Sequence, residues 1–168
     1  TATPTGAGAG AGSGAGAGSK PMVAGGAPFK LIIVGDSNVG KTSLLVRFVE
    51  GRYDGMAKPT IAVDISSANL DLGSSTVALS LWDTAGQERY APLSTPYFRS
   101  ADGVIIAFDV GSRASFDRVA SYWHGEVEAK AEPDVSVMLV GTKCDIDPEE
   151  RQVSMDGAQA FAEEMGWL

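Results

Sequence analysis

Cysteine is almost absent: Cys144 is the single one in 168 residues. That excludes a disulfide framework and points to a reducing compartment. Basic charge is scarce, with 13 Lys and Arg against 21 Asp and Glu and a net charge of −8. Such a balance argues against a nucleic-acid binder and leaves no electrostatic patch for a membrane surface. Long hydrophobic runs are missing; none approaches the roughly 18 residues of a spanning helix. Neither a signal peptide nor an N-terminal Met-Gly is visible. The chain begins at Thr1, not Met, so it reads as a fragment or a processed product.

Residues 1–28 lack what a core needs. Apart from Met22 and Val23 they are Gly, Ala, Ser, Thr and Pro with one charge, Lys20, and contain Gly-Ala-Gly-Ala-Gly-Ser twice, at Gly8–Ser13 and Gly14–Ser19. The repeat resembles that of silk fibroin, whose segments stack as sheets. The reading adopted is a disordered low-complexity extension, because nothing here buries enough surface to offset chain entropy. Residues 29–168 remain, enough for one domain with a core.

What is present is a phosphate-binding pattern. Gly35-Asp36-Ser37-Asn38-Val39-Gly40-Lys41-Thr42 fits G-x-x-x-x-G-K-[ST] between an apolar run, Phe29–Val34, and an amphipathic one, Ser43–Glu50. Glycines let the backbone come close to a phosphate, and a helix starting near Gly40 offers free N–H groups and a positive dipole end. Lys41 is expected to reach the β- and γ-phosphates, and Thr42 Oγ1 to bind Mg²⁺.

Further along, the periodicity predicts a loop over Gly51–Pro59, then strands over Thr60–Leu72 and Thr76–Trp82 joined by Gly73-Ser74-Ser75 as a hairpin. A glycine turn at Asp83–Gly86 leads into an irregular helix to about Arg99. Strands follow at Gly103–Val110 and Val135–Val140. Ser112–Ala131 reads as one helix with Phe116, Val119, Trp123 and Val127 on a single face, and Ser154 as the N-cap of a helix ending near Met165. Alternating strands and helices imply an α/β fold with a doubly wound, mostly parallel sheet, whose ligands bind at the carboxyl ends of the strands. Three polar motifs fall on that rim: the glycine loop, Asp83, and Thr142 to Asp145.

Each motif has a chemical reading and an ordinary one. Asp83, in Trp82-Asp-Thr-Ala-Gly-Gln-Glu88, can hold Mg²⁺ opposite Thr42, or is a polar strand end. Gly86 can bring its N–H to a γ-phosphate, and Gln87 can orient an attacking water, or is a solvated loop residue. Asp145, after Thr142-Lys143-Cys144, can accept from guanine N1–H and N2–H₂, a pattern adenine cannot supply. His124 is read as solvated, Trp123 as packing, Cys144 as inert, Glu163 and Glu164 as a solvated helix face, and Glu149 and Glu150 as a polar loop.

With these motifs in place, residues 29–168 resemble a small GTPase of the Ras superfamily, Rab branch. The resemblance implies a small G-protein fold and a GTP-binding switch that hydrolyses GTP slowly with Mg²⁺, without a covalent intermediate. No arginine is assignable as a finger in cis. Gln87 and Lys41 become the catalytic residues. Gly35 to Ser43, Tyr53, Thr60, Gly86, Thr142, Lys143 and Asp145 become the nucleotide contacts, and Thr42, Thr60 and Asp83 the metal ligands. Tyr53 matches the aromatic that packs edge-on against guanine, and Thr60 the switch threonine. The implied partners are an exchange factor, a GTPase-activating protein and effectors reading Ile65, Trp82 and Tyr97. No nucleic acid is implied. A membrane enters only through a lipidated tail that this sequence does not contain, which places a prenylated form on the cytosolic face of an endomembrane, in vesicle trafficking.

The departures are specific. Thr142 stands where Rab proteins usually have Asn, Ile65 where they have a triad Phe, and Ala62 where they have Gly; Ser37 is common there. The sequence stops at Gly166-Trp167-Leu168, before the family's sixth strand, Ser-Ala-Lys loop and last helix. The expectation is an incomplete domain with Val135–Val140 as an unprotected edge. Two alternatives stay open: a fragment unable to hold nucleotide, and another P-loop NTPase.

Overall fold

The computed structural model describes residues 27–53, 55, 60, 63–73, 75–85 and 95–168. The low-complexity extension up to residue 26, most of the loop before Thr60, Ala62, and the segment containing Gly86 and Gln87 lie outside those residues.

The first strand, β1, runs over Phe29–Val34, as the apolar run predicts, and helix α1 over Lys41–Glu50. Strands β2 (Asp64–Asp71) and β3 (Thr76–Asp83) pair antiparallel in unbroken register from Asp64↔Asp83 to Asp71↔Thr76. A short helix α2 (Thr95–Phe98) leads to β4 (Gly103–Asp109). Then come α3 (Arg113–Arg118), a π-turn at Val119–Trp123, and α4 (His124–Lys130). Strand β5 (Ser136–Thr142), a 3₁₀ turn at Pro148–Glu150 and α5 (Met155–Met165) complete the order.

The sheet order is β2-β3-β1-β4-β5, parallel throughout except for β2 against β3. The order of β1 between β3 and β4 puts the loops after β1, β3 and β5 on one rim, the position expected for ligands. Strand alternation splits the core between the two faces. Ile32, Val34, Val104, Ile106 and Phe108 point toward α2, α3, α4 and α5, while Ile33, Ala107, Leu79 and Leu81 point toward α1. Each fully buried Val, Ile or Phe contributes about 1.5–3 kcal/mol, so β1 and β4 anchor the rim firmly.

Several expectations are refined. The helix predicted over Ser112–Ala131 does bury Val119, Trp123 and Val127 on one face. It is not regular, however: the π-turn interrupts it, and periodicity cannot reveal one wide turn. Strand β2 begins at Asp64, four residues after Thr60. Glu149 and Glu150 form a 3₁₀ turn. His124 is not simply solvated: its ring lies 5.5 Å from that of Trp167, and Nε2 is 3.4 Å from Glu128. The outer edge of β5 is not bare along its length, since Leu168 N–H donates to Val137 O at 3.0 Å and Leu139 N–H to Leu168 O at 2.9 Å. Those two bonds form one parallel rung. The Ser154 cap is as predicted, its Oγ accepting from Gly157 N–H at 3.1 Å. Among the described residues, no helix is long and apolar enough to cross a membrane.

Candidate functional site

The glycine loop leaves β1 at Gly35, whose φ of +139° suits glycine, and where a Cβ would fall 2.2 Å from Ala107 O. The chain is thus pressed against β4 at the first residue of the loop. Asn38 takes φ +66°, a left-handed conformation that Asn tolerates. Gly40, at φ +100°, caps α1 with no side-chain hydrogen bond to the first-turn N–H groups. A bound anion can satisfy those donors.

Lys41 folds back over this loop. Its Nζ donates to Gly35 O at 2.9 Å and to Asp36 O at 2.8 Å. The side chain is buried, and burial lowers its pKa to about 8, against the raising influence of Asp83 and Asp36. Burial therefore makes the ammonium a liability to the fold. Below about pH 8 it is charged in both folded and unfolded chains, and the desolvation penalty is fully present. As pH climbs from there toward the ordinary 10.5, the unfolded chain binds more protons than the folded one, and stability rises. The expected result is a relative gain on the order of 3 kcal/mol over that window. Urea melts of the nucleotide-free protein against Lys41→Met, from pH 7 to 10, measure it; parallel curves for the two proteins contradict the burial of this charge.

Beside Lys41, three residues far apart in sequence meet. Thr42 Oγ1 donates to Asp83 Oδ2, and Thr60 Oγ1 lies 2.8 Å from Thr42 Oγ1 and 3.3 Å from Asp83 Oδ2. A hydroxyl has one hydrogen, so if Thr42 gives its own to Asp83, Thr60 is left to donate into the pair. Asp83 ends β3, where Thr84 Oγ1 also fastens the chain to Ile33 O at 2.7 Å. Asp83 Oδ1 is buried and has no hydrogen-bond partner among the described residues. Burial pushes the Asp83 carboxyl above its ordinary range, opposed by the Thr42 hydrogen bond and the Lys41 charge. Two hydroxyl oxygens and a carboxylate with an unsatisfied oxygen are hard donors, a set that fits Mg²⁺. Among the described residues no group of three His, Cys, Asp or Glu gathers as a metal site, here or elsewhere.

The third motif closes the rim. Thr142, at the end of β5, is buried, and its Oγ1 shares its one hydrogen between Val39 O in the glycine loop and Phe108 O at 2.8 Å. The threonine hydroxyl is thus committed to tying β5, β4 and the loop together. Lys143, at φ +57°, places Nζ 2.7 Å from Asp109 Oδ2. Asp145 is exposed at the mouth of a hollow of about 560 Å³ lined by Gly40, Ser43, Tyr53, Thr142 and Lys143 among others. Gly40 of the glycine loop, Tyr53 and Asp145 therefore share one concavity. Ile65 sits opposite Trp82 in the β2–β3 register, and Tyr97 lies 5.9 Å from Trp82, so these three also gather on one surface.

Sequence reasoning missed Asp109, Arg118 and Trp123. Asp109 could have been found from its place at the carboxyl end of β4. Arg118 and Trp123 carry no local signal; both reach Asp36 from more than 80 positions away. Gly86 and Gln87 fall outside the described residues.

A family model described as the Ras family matches residues 30–168. The GTP-binding protein ypt2 of Schizosaccharomyces pombe is 41% identical over 137 residues, covering 82% of this chain and 68% of that protein. The Ras-related protein RABD2c of Arabidopsis thaliana is 41% identical over 138 residues, 82% of this chain and 67% of its own length. Human Ras-related protein Rab-19 is 41% identical over 140 residues, 83% and 64% respectively. A family match over residues 30–168, relatives at this identity, and a mostly parallel sheet with the loop, carboxylate and threonine motifs on one rim all agree: the chain belongs to the Ras family of small GTPases, on its Rab-like side.

Proposed function

We propose that this chain is a GTP-binding switch of vesicle trafficking, binding guanine nucleotide with Mg²⁺ at the rim of β1, β3 and β5 and hydrolysing GTP to GDP and phosphate. The observation that carries the reading is the meeting of Thr42, Thr60 and the half-unsatisfied Asp83 carboxylate beside the buried Lys41. When bound there, Mg²⁺ neutralises phosphate charge. Thr42, Thr60 and Asp83 are the residues to hold it. Lys41 exchanges its two carbonyl acceptors for phosphate oxygens, and the free N–H groups at the start of α1 complete the cradle. Asp145 reads the guanine edge and Tyr53 packs against the base. Gln87 orients the attacking water, and its proton leaves with the phosphate product.

Thr60 belongs to the loop before β2, and Gly86 and Gln87 to the segment after β3. A γ-phosphate that engages Thr60 and Gly86 orders both segments, and hydrolysis releases them. The surface of Ile65, Trp82 and Tyr97 suits an effector that reads the difference, while an exchange factor and a GTPase-activating protein set its timing.

Competition of GTP against ATP for the Mg²⁺-loaded protein tests the proposal directly; equal affinities defeat the guanine assignment and favour another P-loop NTPase. Gln87→Leu is expected to slow single-turnover hydrolysis on the order of 10²-fold and to leave nucleotide binding near the wild-type value. Leucine keeps much of the volume but can neither donate to nor accept from water. An unchanged hydrolysis rate removes Gln87 from the chemistry.

A further inference from the structure

Asp36 is an odd residue for a phosphate cradle, because its carboxylate brings negative charge to a loop meant for anions. The structure shows where that charge goes. Asp36 Oδ1 accepts from Arg118 Nε at 2.8 Å and from Trp123 Nε1 at 2.8 Å. Arg118 closes α3 and Trp123 closes the π-turn, so both donors come from one continuous helical segment across the rim. The same residue's main-chain oxygen accepts from Lys41 Nζ at 2.8 Å. Asp36 is therefore held from outside by its side chain and from inside by its backbone.

We propose that Arg118 and Trp123 are positioning residues for the phosphate loop, neutralising and anchoring Asp36 so that the loop N–H groups and Lys41 keep their aim at the phosphates. This rests on the nucleotide reading above. The ring of Trp123 is buried, and a buried indole N–H requires an acceptor; Asp36 supplies it. The Arg118–Asp36 pair is partly exposed, with side chains 37% and 21% accessible. Alone, such a pair contributes little to stability. Its significance lies in its position. A carboxylate released next to a phosphate site repels the ligand, and a loop released from α3 loses its preset geometry. The π-turn sets this arrangement, since a wide turn shifts the phase of a helix by one residue.

The test uses the whole chain with Mg²⁺ and a fluorescent GDP. Trp123→Phe keeps the ring and removes the N–H; Arg118→Gln keeps length and removes the charge. Each is expected to speed GDP release by about tenfold, the worth of a hydrogen bond to a charged group. Asp36→Asn, which removes the charge needing neutralisation, is expected to recover part of the loss when combined with Arg118→Gln; a role confined to packing gives no such recovery. Arg118→Lys should lie closer to wild type than Arg118→Gln. Separately, the indole N–H resonance of Trp123, identified by its disappearance in Trp123→Phe, should shift in nucleotide-free Asp36→Asn. If Trp123→Phe does not fold, Arg118→Gln and its pairing with Asp36→Asn carry the measurement. Wild-type release rates in both single variants, or additive losses in the double variant, overturn the proposal. An unmoved indole resonance overturns the part played by Trp123. A wild-type chain that holds no GDP overturns the nucleotide reading and this proposal with it, and the control without substitutions identifies that case.

Discussion

Lys41→Met is expected to abolish tight nucleotide binding while leaving the ligand-free fold as stable as before. The two halves of this result have one cause. In the ligand-free protein the ammonium is desolvated, its pKa pressed down to about 8, and its two hydrogen bonds go to the carbonyls of Gly35 and Asp36. Removing a charge held under such conditions relieves about as much as it forfeits, and methionine keeps the apolar stem packed. The melting free energy at pH 7 should therefore change by less than about 1 kcal/mol. With phosphate in the loop the balance reverses. Lys41 then donates to oxygens carrying full negative charge in a site largely shielded from water, and truncating one partner of such a pair costs about 2–5 kcal/mol, roughly 30- to 5,000-fold in affinity. Calorimetric titration with GDP, paired with a urea melt, measures both. A variant that binds as wild type shows that the loop grips phosphate through its backbone alone. A variant that unfolds shows that Lys41 is a structural strut and not a ligand group. Thr42→Asn gives a companion result: it should spoil the oxygen cluster with Asp83 and shift preference from GTP to GDP.

Asp145→Asn is expected to exchange guanine for xanthine. Asp145 is exposed, so the substitution should move stability by no more than about 0.5 kcal/mol. Its effect is chemical. A carboxylate is an acceptor on both oxygens and meets the N1–H and N2–H₂ donors of guanine. Asparagine keeps one acceptor and gains a donor, which suits the carbonyl that xanthine has at C2. Discrimination built on hydrogen bonds whose loss strands a polar group reaches roughly 10⁴-fold, so the ratio of GDP to XDP affinity should swing by about that order. Competition between the two nucleotides reads the ratio without needing absolute affinities. A ratio that does not move between wild type and variant means that the base does not sit against Asp145, and that the hollow shared by Tyr53, Ser43 and Lys143 serves another part of the ligand.

Much of this site is written in short spacings. Gly35, Gly40, Lys41 and Thr42 lie within one strand–turn–helix, so covalent connectivity and helix geometry bring them together without help from the rest of the chain. The bounds of β1 follow from six residues of nearly continuous apolar character, and the Ser154 cap from a three-residue hydrogen bond. Placing Asp83 and Thr142 on the same rim needed only the alternation of strands and helices, because parallel strands end together.

The remaining decisions belong to the packed molecule. No spacing rule could say that Thr42 and Thr60, 18 positions apart, would share Asp83, which is 41 positions from one and 23 from the other. Nor could it say that Thr142, in place of asparagine, would spend its hydroxyl on Val39 and Phe108, or that Asp36 would be held by Arg118 and Trp123. The helix over 112–131 was legible as an apolar face, yet the single wide turn within it was not, because the four-residue spacing of Val119, Trp123 and Val127 is equally that of a regular helix. Periodicity reports which way a side chain faces relative to its own element. Which polar atom it meets depends on crossovers and on helix–sheet packing, where a shift of 1 Å decides between a hydrogen bond and none. That is why the sequence by itself was enough to point to the family and to the rim where its motifs gather, while the partners of Asp83, Thr142 and Asp36 were decided only by the tertiary fold.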